Sequence, residues 1–201
     1  MSVFLGARSV RGSETPASGH RIAVGLGVPV PLTVVGYRGD SRGFSHDFLG
    51  AVTLEYEARL LAAPLLGVGL AISGGYLSGT GGGTAGAIGL LVGGPTLTIG
   101  WRPWSINDLG GGVALAAAPV AGLVRLYVDE NINMNAAVIG GRAAVRIEQS
   151  VADGWVLWLT AAFDWLSEPL NREAFFNETL GSTRLLWFAL GGSFEFSALP
   201  R

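Results

Sequence analysis

The chain has no cysteine and no lysine. Without cysteine there is no disulfide framework, no thiolate metal centre and no thiol redox chemistry. Without lysine, all 13 cationic side chains are arginine, the residue suited to fixed ion pairs. Charge of either sign is scarce. Only 14% of the residues are charged, against about 25% in ordinary soluble domains. The net charge of −2 leaves no basic surface for nucleic acid. Histidine occurs twice, at His20 and His46. The N-terminus shows no apolar h-region followed by a small-residue cleavage site, so an exported chain would have had its leader removed.

What is present is apolar and glycine-rich: 49% hydrophobic residues, a mean hydropathy of +0.45 and 32 glycines. Glycine at that density disfavours helix interiors. The apolar residues instead recur with period two. In 185–199, Leu186, Phe188, Leu190, Phe194 and Phe196 fall in one column and Trp187, Ala189, Gly191, Ser193 and Glu195 in the other. Successive strand residues point to opposite faces, so one face is greasy and the other small and polar. The same sorting recurs at 21–28, 48–60, 66–77, 135–150 and 155–165.

Twelve alternating segments can be traced, at 3–10, 21–28, 33–40, 48–60, 66–77, 87–93, 96–102, 112–117, 120–129, 135–150, 155–165 and 185–199. Short turns are expected at 29–31, 62–64, 94–95, 118–119 and 152–154, the last an Asp-Gly hairpin signal. Longer loops are expected at 11–19, 41–47, 78–84, 103–110, 130–134 and 167–184. Short turns at one rim and long loops at the other predict an all-β, closed antiparallel up-and-down transmembrane barrel. About twelve strands are expected over 1–201, in one domain. Eight or ten are also possible: 85–104 and 109–129 could each be one long strand with an internal proline, although proline inside a paired strand is disfavoured.

Two other architectures compete. Neither 60–79 nor 81–101 carries a charge, which admits a helical membrane protein. Their glycines and prolines, and the period of two, oppose it. A soluble sandwich would need polar outer faces, and the polar columns here are mostly Gly, Ala, Ser and Thr.

The register follows from energy. An arginine at the lipid midplane costs about 2–4 kcal/mol, so Arg8, Arg21, Arg38, Arg59, Arg102, Arg125, Arg142 and Arg146 are placed inside. There they can meet Asp40, Glu55, Glu57, Asp129, Glu148, Asp164 and Glu195. The expected lumenal charge cluster is Glu55, Glu57, Arg59, Arg125, Arg142, Arg146, Glu148 and Glu195, acting as a plug or as a constriction for small polar solutes. Tyr37, Tyr76, Trp101, Tyr127, Trp155, Trp165, Phe194 and Phe196 lie near strand ends and are expected to form the aromatic girdles.

Over its whole length the chain resembles small bacterial outer-membrane β-barrel proteins, on the terminal alternation Leu186, Phe188, Leu190, Phe194, Phe196 and the order of turns and loops. The resemblance implies a bacterial outer-membrane location, with the lipid bilayer and the barrel-assembly machinery as partners, and a structural or narrow passive channel role. Members usually finish on an aromatic residue; here Ser197–Arg201 follow Phe196. Ser45-His46-Asp47, near Asp40, invites comparison with outer-membrane hydrolases that place a histidine at the long-loop rim, where both His20 and His46 are expected. Adjacent residues point apart, so His46 or His20 would need a partner from another loop. No cofactor or metal is expected.

Overall fold

The computed structural model describes residues 19–33, 45–62, 64–81, 84–128, 132–167 and 183–197. They form β1 (Gly19–Thr33), β2 (Ser45–Ala62), β3 (Leu65–Gly81), β4 (Thr84–Ile106), β5 (Leu109–Val128), β6 (Ile132–Ala152), β7 (Trp155–Ser167) and β8 (Thr183–Ser197). Each strand pairs antiparallel with the next, and β8 closes on β1. The count is eight, the lower bound expected. Segment 3–10, and 33–40 beyond Thr33, lie outside the described residues. The segments either side of Pro95 join into β4, and those either side of Pro119 into β5. There is no helix among the described residues; those of the uncharged windows at 60–79 and 81–101, apart from Pro64 in a turn, fall in β2, β3 and β4.

The expected turns at 29–31, 94–95 and 118–119 are therefore strand interior, for identifiable reasons. β1 pairs with β2 only as far as Gly27↔Ala51, whereas its pairing with β8 continues to Thr33↔Arg184. Pro29 and Pro31 occupy that one-sided stretch, where a missing N–H is tolerated. The β4–β5 register is the same at Gly93↔Ala121 and at Leu97↔Ala117, so Pro95 falls opposite Pro119, and no pairs form between those two points. Two missing donors thus share a single gap in the ladder.

The expected loop at 103–110 is a tight turn instead. Asn107 (φ 51°) and Asp108 (φ 64°) both take the left-handed conformation, as a two-residue type I′ hairpin requires. It joins the turns at 62–64 and 152–154 at one rim. Gly19 and Ser197 pair at that same rim, so the ends of the described barrel wall lie on the short-turn side.

Following the ladder once round fixes the geometry. The row Gly19, Arg59, Gly67, Thr98, Ala116, Ala144, Ala162, Trp187 returns to β1 at Pro29, ten residues above its start. With strands about 4.8 Å apart and a rise of about 3.3 Å per residue, that stagger tilts the strands about 40° from the axis. A barrel of eight strands is just wide enough to be filled by side chains.

The filling has two levels. The half nearer the short turns holds most of the charged residues, Asp164 being buried higher, between Ala162 and Leu166. The half nearer the long loops is an apolar core including Leu90, Val92, Val120, Val124, Leu166 and Trp187. The outer wall is apolar around its middle, with Leu26 at 69% exposure and Leu190 at 63%. In water such a continuous greasy belt would be untenable; in a bilayer it is the solvated surface.

Candidate functional site

Alternation on β2 sends Glu55, Glu57 and Arg59 inward together while Leu54, Tyr56 and Leu60 face out. β6 does the same with Arg142, Arg146 and Glu148. β1 adds Arg21, β4 Arg102 and β8 Glu195. Arg142 apart, these bring four arginines and four glutamates into one network. Arg146 reaches Glu55 (Nη1···Oε2, 2.6 Å), Glu57 (3.2 Å) and Glu148 (Nε···Oε1, 2.7 Å). Arg59 meets Glu57 at 3.1 Å, Glu148 at 3.7 Å and Glu195 at 2.7 Å. Arg102 closes the lower edge on Glu195 at 3.0 Å.

Arg21, 1% exposed, sits among three carboxylates: Nη1 is 3.2 Å from Glu148, 3.8 Å from Glu57 and 4.0 Å from Glu55. None of its side-chain nitrogens makes an aligned hydrogen bond to a described residue. It is held by charge, which in a medium of reduced dielectric is stronger than in water.

A second cluster lies above. Asp164, fully buried, accepts from Arg142 Nε (2.6 Å) and Nη2 (2.7 Å) and from Trp187 Nε1 (2.7 Å). Arg142 also donates to Ser73 Oγ (2.8 Å), and its guanidinium lies 5.5 Å from the centre of the Trp187 ring. Together the two clusters hold five arginines and five carboxylates, an electrically neutral filling.

Trp158, 2% exposed, packs across the lumen beside the network. Gly25 and Gly191 make room for it: a Cβ at either would collide with the indole ring. Between the clusters is a cavity of about 50 Å³, lined in part by Thr53, Ser73, Thr96, Thr98, Trp158 and Thr160. At roughly 10–15 Å³ per water it holds about three to five. Trp158 Nε1 and Thr160 Oγ1 have no hydrogen-bond partner among the described residues. The arrangement can pin opposite walls of the barrel to one another and exclude ions; it presents no nucleophile beside a base. Among the described residues no group of three His, Asp or Glu is placed to hold a metal ion.

Of the expected cluster, Glu55, Glu57, Arg59, Arg146, Glu148 and Glu195 are in mutual contact. Arg142 belongs to the separate Asp164 cluster. Arg125 is a correction: it lies on the outward column of β5, between inward Val124 and exposed Leu123 on one side and the strand end on the other. Both columns of 120–128 are apolar, because the upper lumen is apolar too, so polarity could not fix its register. Near the end of a strand an outward arginine costs about 0–1 kcal/mol. Alternation had placed Arg21 and Arg102 inside, but nothing in the sequence tied them to this cluster. Trp158 carried no signal beyond its place on the inner column of β7.

Of the girdle residues, Trp101, Trp155, Phe194 and Phe196 face outward near the short-turn rim, and Tyr76 and Trp165 toward the other. Trp155 and Phe194 have ring centres 5.2 Å apart, and Phe194 and Phe196 6.2 Å. Tyr37 and the side chain of Tyr127 lie outside the described residues. A bulge after Trp101 brings Trp104 over Gly111, where its Nε1 donates to Gln149 Oε1 (3.1 Å).

His20 is not at the long-loop rim. It opens β1 at the short-turn rim, pairs with Ala58, and lies 2.8 Å from the Tyr56 hydroxyl through Nδ1. His46 lies twelve positions up β2 from that pair, about 40 Å along the strand. The two histidines cannot share a site. The side chains of Ser45, His46 and Asp47 lie outside the described residues.

A closed eight-stranded barrel with a greasy outer wall and an ion-paired interior has the architecture of a transmembrane β-barrel. The chain is similar in structure to the outer-membrane protein OprG from Pseudomonas aeruginosa, with TM-score 0.56 and 10% identity over 91% of this chain and 98% of OprG. It is also similar to Neisserial surface protein A, with TM-score 0.56 and 11% identity over 88% of this chain and 97% of that one. At such identities the likeness is one of fold, that of small bacterial outer-membrane barrels. No protein-family model and no curated protein sequence matches the chain.

Proposed function

We propose that this chain is an integral protein of the bacterial outer membrane whose barrel is a closed structural body, carrying its long loops at one face, rather than an open channel for polar solutes. One observation carries this reading: the lumen is crossed by a neutral network of paired charges, with Arg21, Glu57, Arg146 and Glu148 each at most 5% exposed. The apolar core above it adds a second barrier, since an ion crossing Leu90, Val92 and Leu166 would shed its hydration without replacement. The bilayer is its immediate partner, and the barrel-assembly machinery its route of insertion.

Planar-bilayer recording tests this. The wild-type chain is expected to show no steady conductance. A variant opened at both levels (Glu57→Ala, Arg146→Ala and Trp158→Ala in the charged half, with Leu90→Ser, Leu166→Ser and Trp187→Ala in the apolar core) and shown by gel mobility to be folded is expected to conduct. Steady ohmic conductance in the wild type, altered by neutralising Arg142 and Arg146, would establish the narrow-channel reading instead.

A further inference from the structure

Toward the long-loop rim, the outer wall holds a polar feature that the lumen does not explain. Across β2 to β6 runs an outward row in ladder register: Gly50, Tyr76, Gly89, Arg125, Asn135. The adjacent outward row, one step toward the barrel middle, is Leu26, Val52, Gly74, Leu91, Leu123. Where the glycines fall, the wall is bare. The result is a groove of about 840 Å³ along the hydrogen-bonding direction, with leucine and valine on its inner side and Arg125, Asn135 and Tyr76 toward the rim.

The glycines are not demanded by packing. A Cβ at Gly74 or at Gly89 would meet nothing closer than 3.8 Å, so a leucine would fit at either on a surface otherwise made of leucine. The groove begins where β1 and β2 cease to pair, beyond Gly27↔Ala51. Arg125 and Asn135 are directly opposite one another on β5 and β6, and bring a cation and an amide donor to one end of an apolar slot. An arginine fork matches a phosphate, and an amide N–H adds a further donor. The molecules that surround this wall and carry a phosphate at one end of a long apolar body are lipids.

We propose that the groove seats one bilayer lipid with an anionic phosphate headgroup, its phosphate held by Arg125 and Asn135 and an acyl chain lying over Gly89 and Gly74. Arg125 and Tyr76 already have interaction partners; the phosphate joins that set rather than being its first member. The inference rests on the membrane-embedded reading of the wall and is independent of whether the lumen conducts.

Native mass spectrometry of the detergent-purified barrel, titrated with phosphatidylglycerol or with diacylglycerol of the same acyl chains, tests it. The wild type is expected to retain a single phosphatidylglycerol about tenfold more readily than diacylglycerol, the worth of one charge-assisted contact to the phosphate. Arg125→Gln should abolish that preference, and Arg125→Lys should keep part of it. Gly74→Leu with Gly89→Leu should reduce retention of both lipids. Heat-modifiable gel mobility, read on the same samples, reports whether the barrel is folded. An unchanged preference in Arg125→Gln, or none in the wild type, overturns the site while leaving the barrel intact; a wild type with no compact form overturns the membrane reading beneath it.

Discussion

Removing the Asp164 carboxylate is the sharpest perturbation of the lumen. In Asp164→Ala, Arg142 loses both hydrogen bonds of a bidentate pair, at 2.6 and 2.7 Å, and the Trp187 indole loses its acceptor at 2.7 Å. Asp164 is fully buried, so water cannot readily replace it. Stranding a buried charge costs about 3–5 kcal/mol. If the slope of the urea transition is about 2 kcal/mol per molar, the midpoint falls by about 2 M. The assay is reversible urea unfolding in lipid vesicles, followed by tryptophan fluorescence and by gel mobility. The double variant Asp164→Ala, Arg142→Met removes the stranded charge and keeps an apolar stem of similar reach. It should recover about 2–3 kcal/mol of the loss, a coupling typical of contacting residues. Equal losses in the single and double variants would show that Arg142 and Asp164 do not act as a pair, and the neutral-filling argument would fail with them.

Gly25→Leu should destabilise by about 1–3 kcal/mol through overpacking against Trp158, and Trp158→Ala in the same chain should relieve most of it; the same unfolding assay reads both. On the outer wall, Leu70→Arg should cost about 2–4 kcal/mol if that position faces the hydrocarbon, and Leu123→Arg, one row below Arg125, should cost less than Leu70→Arg. Glu148→Gln leaves three arginines, Arg21, Arg59 and Arg146, with one counter-charge fewer. It should lower stability by about 1–3 kcal/mol, and the loss should be smaller in the companion Arg21→Met, Glu148→Gln variant.

Where one lumenal column is polar and the other greasy, the sequence reads directly into the structure. β7 alternates exposed and buried without a break from Trp155 to Leu166, and β8 does so around Phe188, Leu190 and Phe194. Glu55-Tyr56-Glu57 fixes β2 for the same reason. The reading weakened where that contrast fades. In the upper half of the barrel both columns are apolar, so Arg125 was drawn inside by its charge although its neighbours Val124 and Leu126 carry no directional signal. Prolines misled in the opposite sense. Pro29, Pro31, Pro95 and Pro119 look like turn residues one at a time; a tolerant position, a one-sided stretch of β1 or a shared gap between β4 and β5, exists only in the assembled ladder. The candidate site shows the same division. The inward carboxylates and arginines are legible strand by strand, and Arg142 with Asp164 needs only the β6–β7 hairpin register, in which they are direct partners; the meeting of Arg21 with Glu148 across the lumen depends on the stagger of ten residues around the barrel, which no single strand contains.

The absence of cysteine makes one measurement particularly direct, since a spin label introduced at any single position is the only one in the chain. Labels placed in turn at each residue of β7 from Trp155 to Leu166, in vesicles, should show oxygen accessibility rising and falling with period two: high at Leu157, Leu159, Ala161 and Phe163, low to both oxygen and a water-soluble nickel complex at Val156, Trp158, Thr160 and Ala162. Accessibility of those inward positions to the nickel complex would mean a lumen open to water. A period near 3.6, or none, would mean that this stretch is no wall of a barrel.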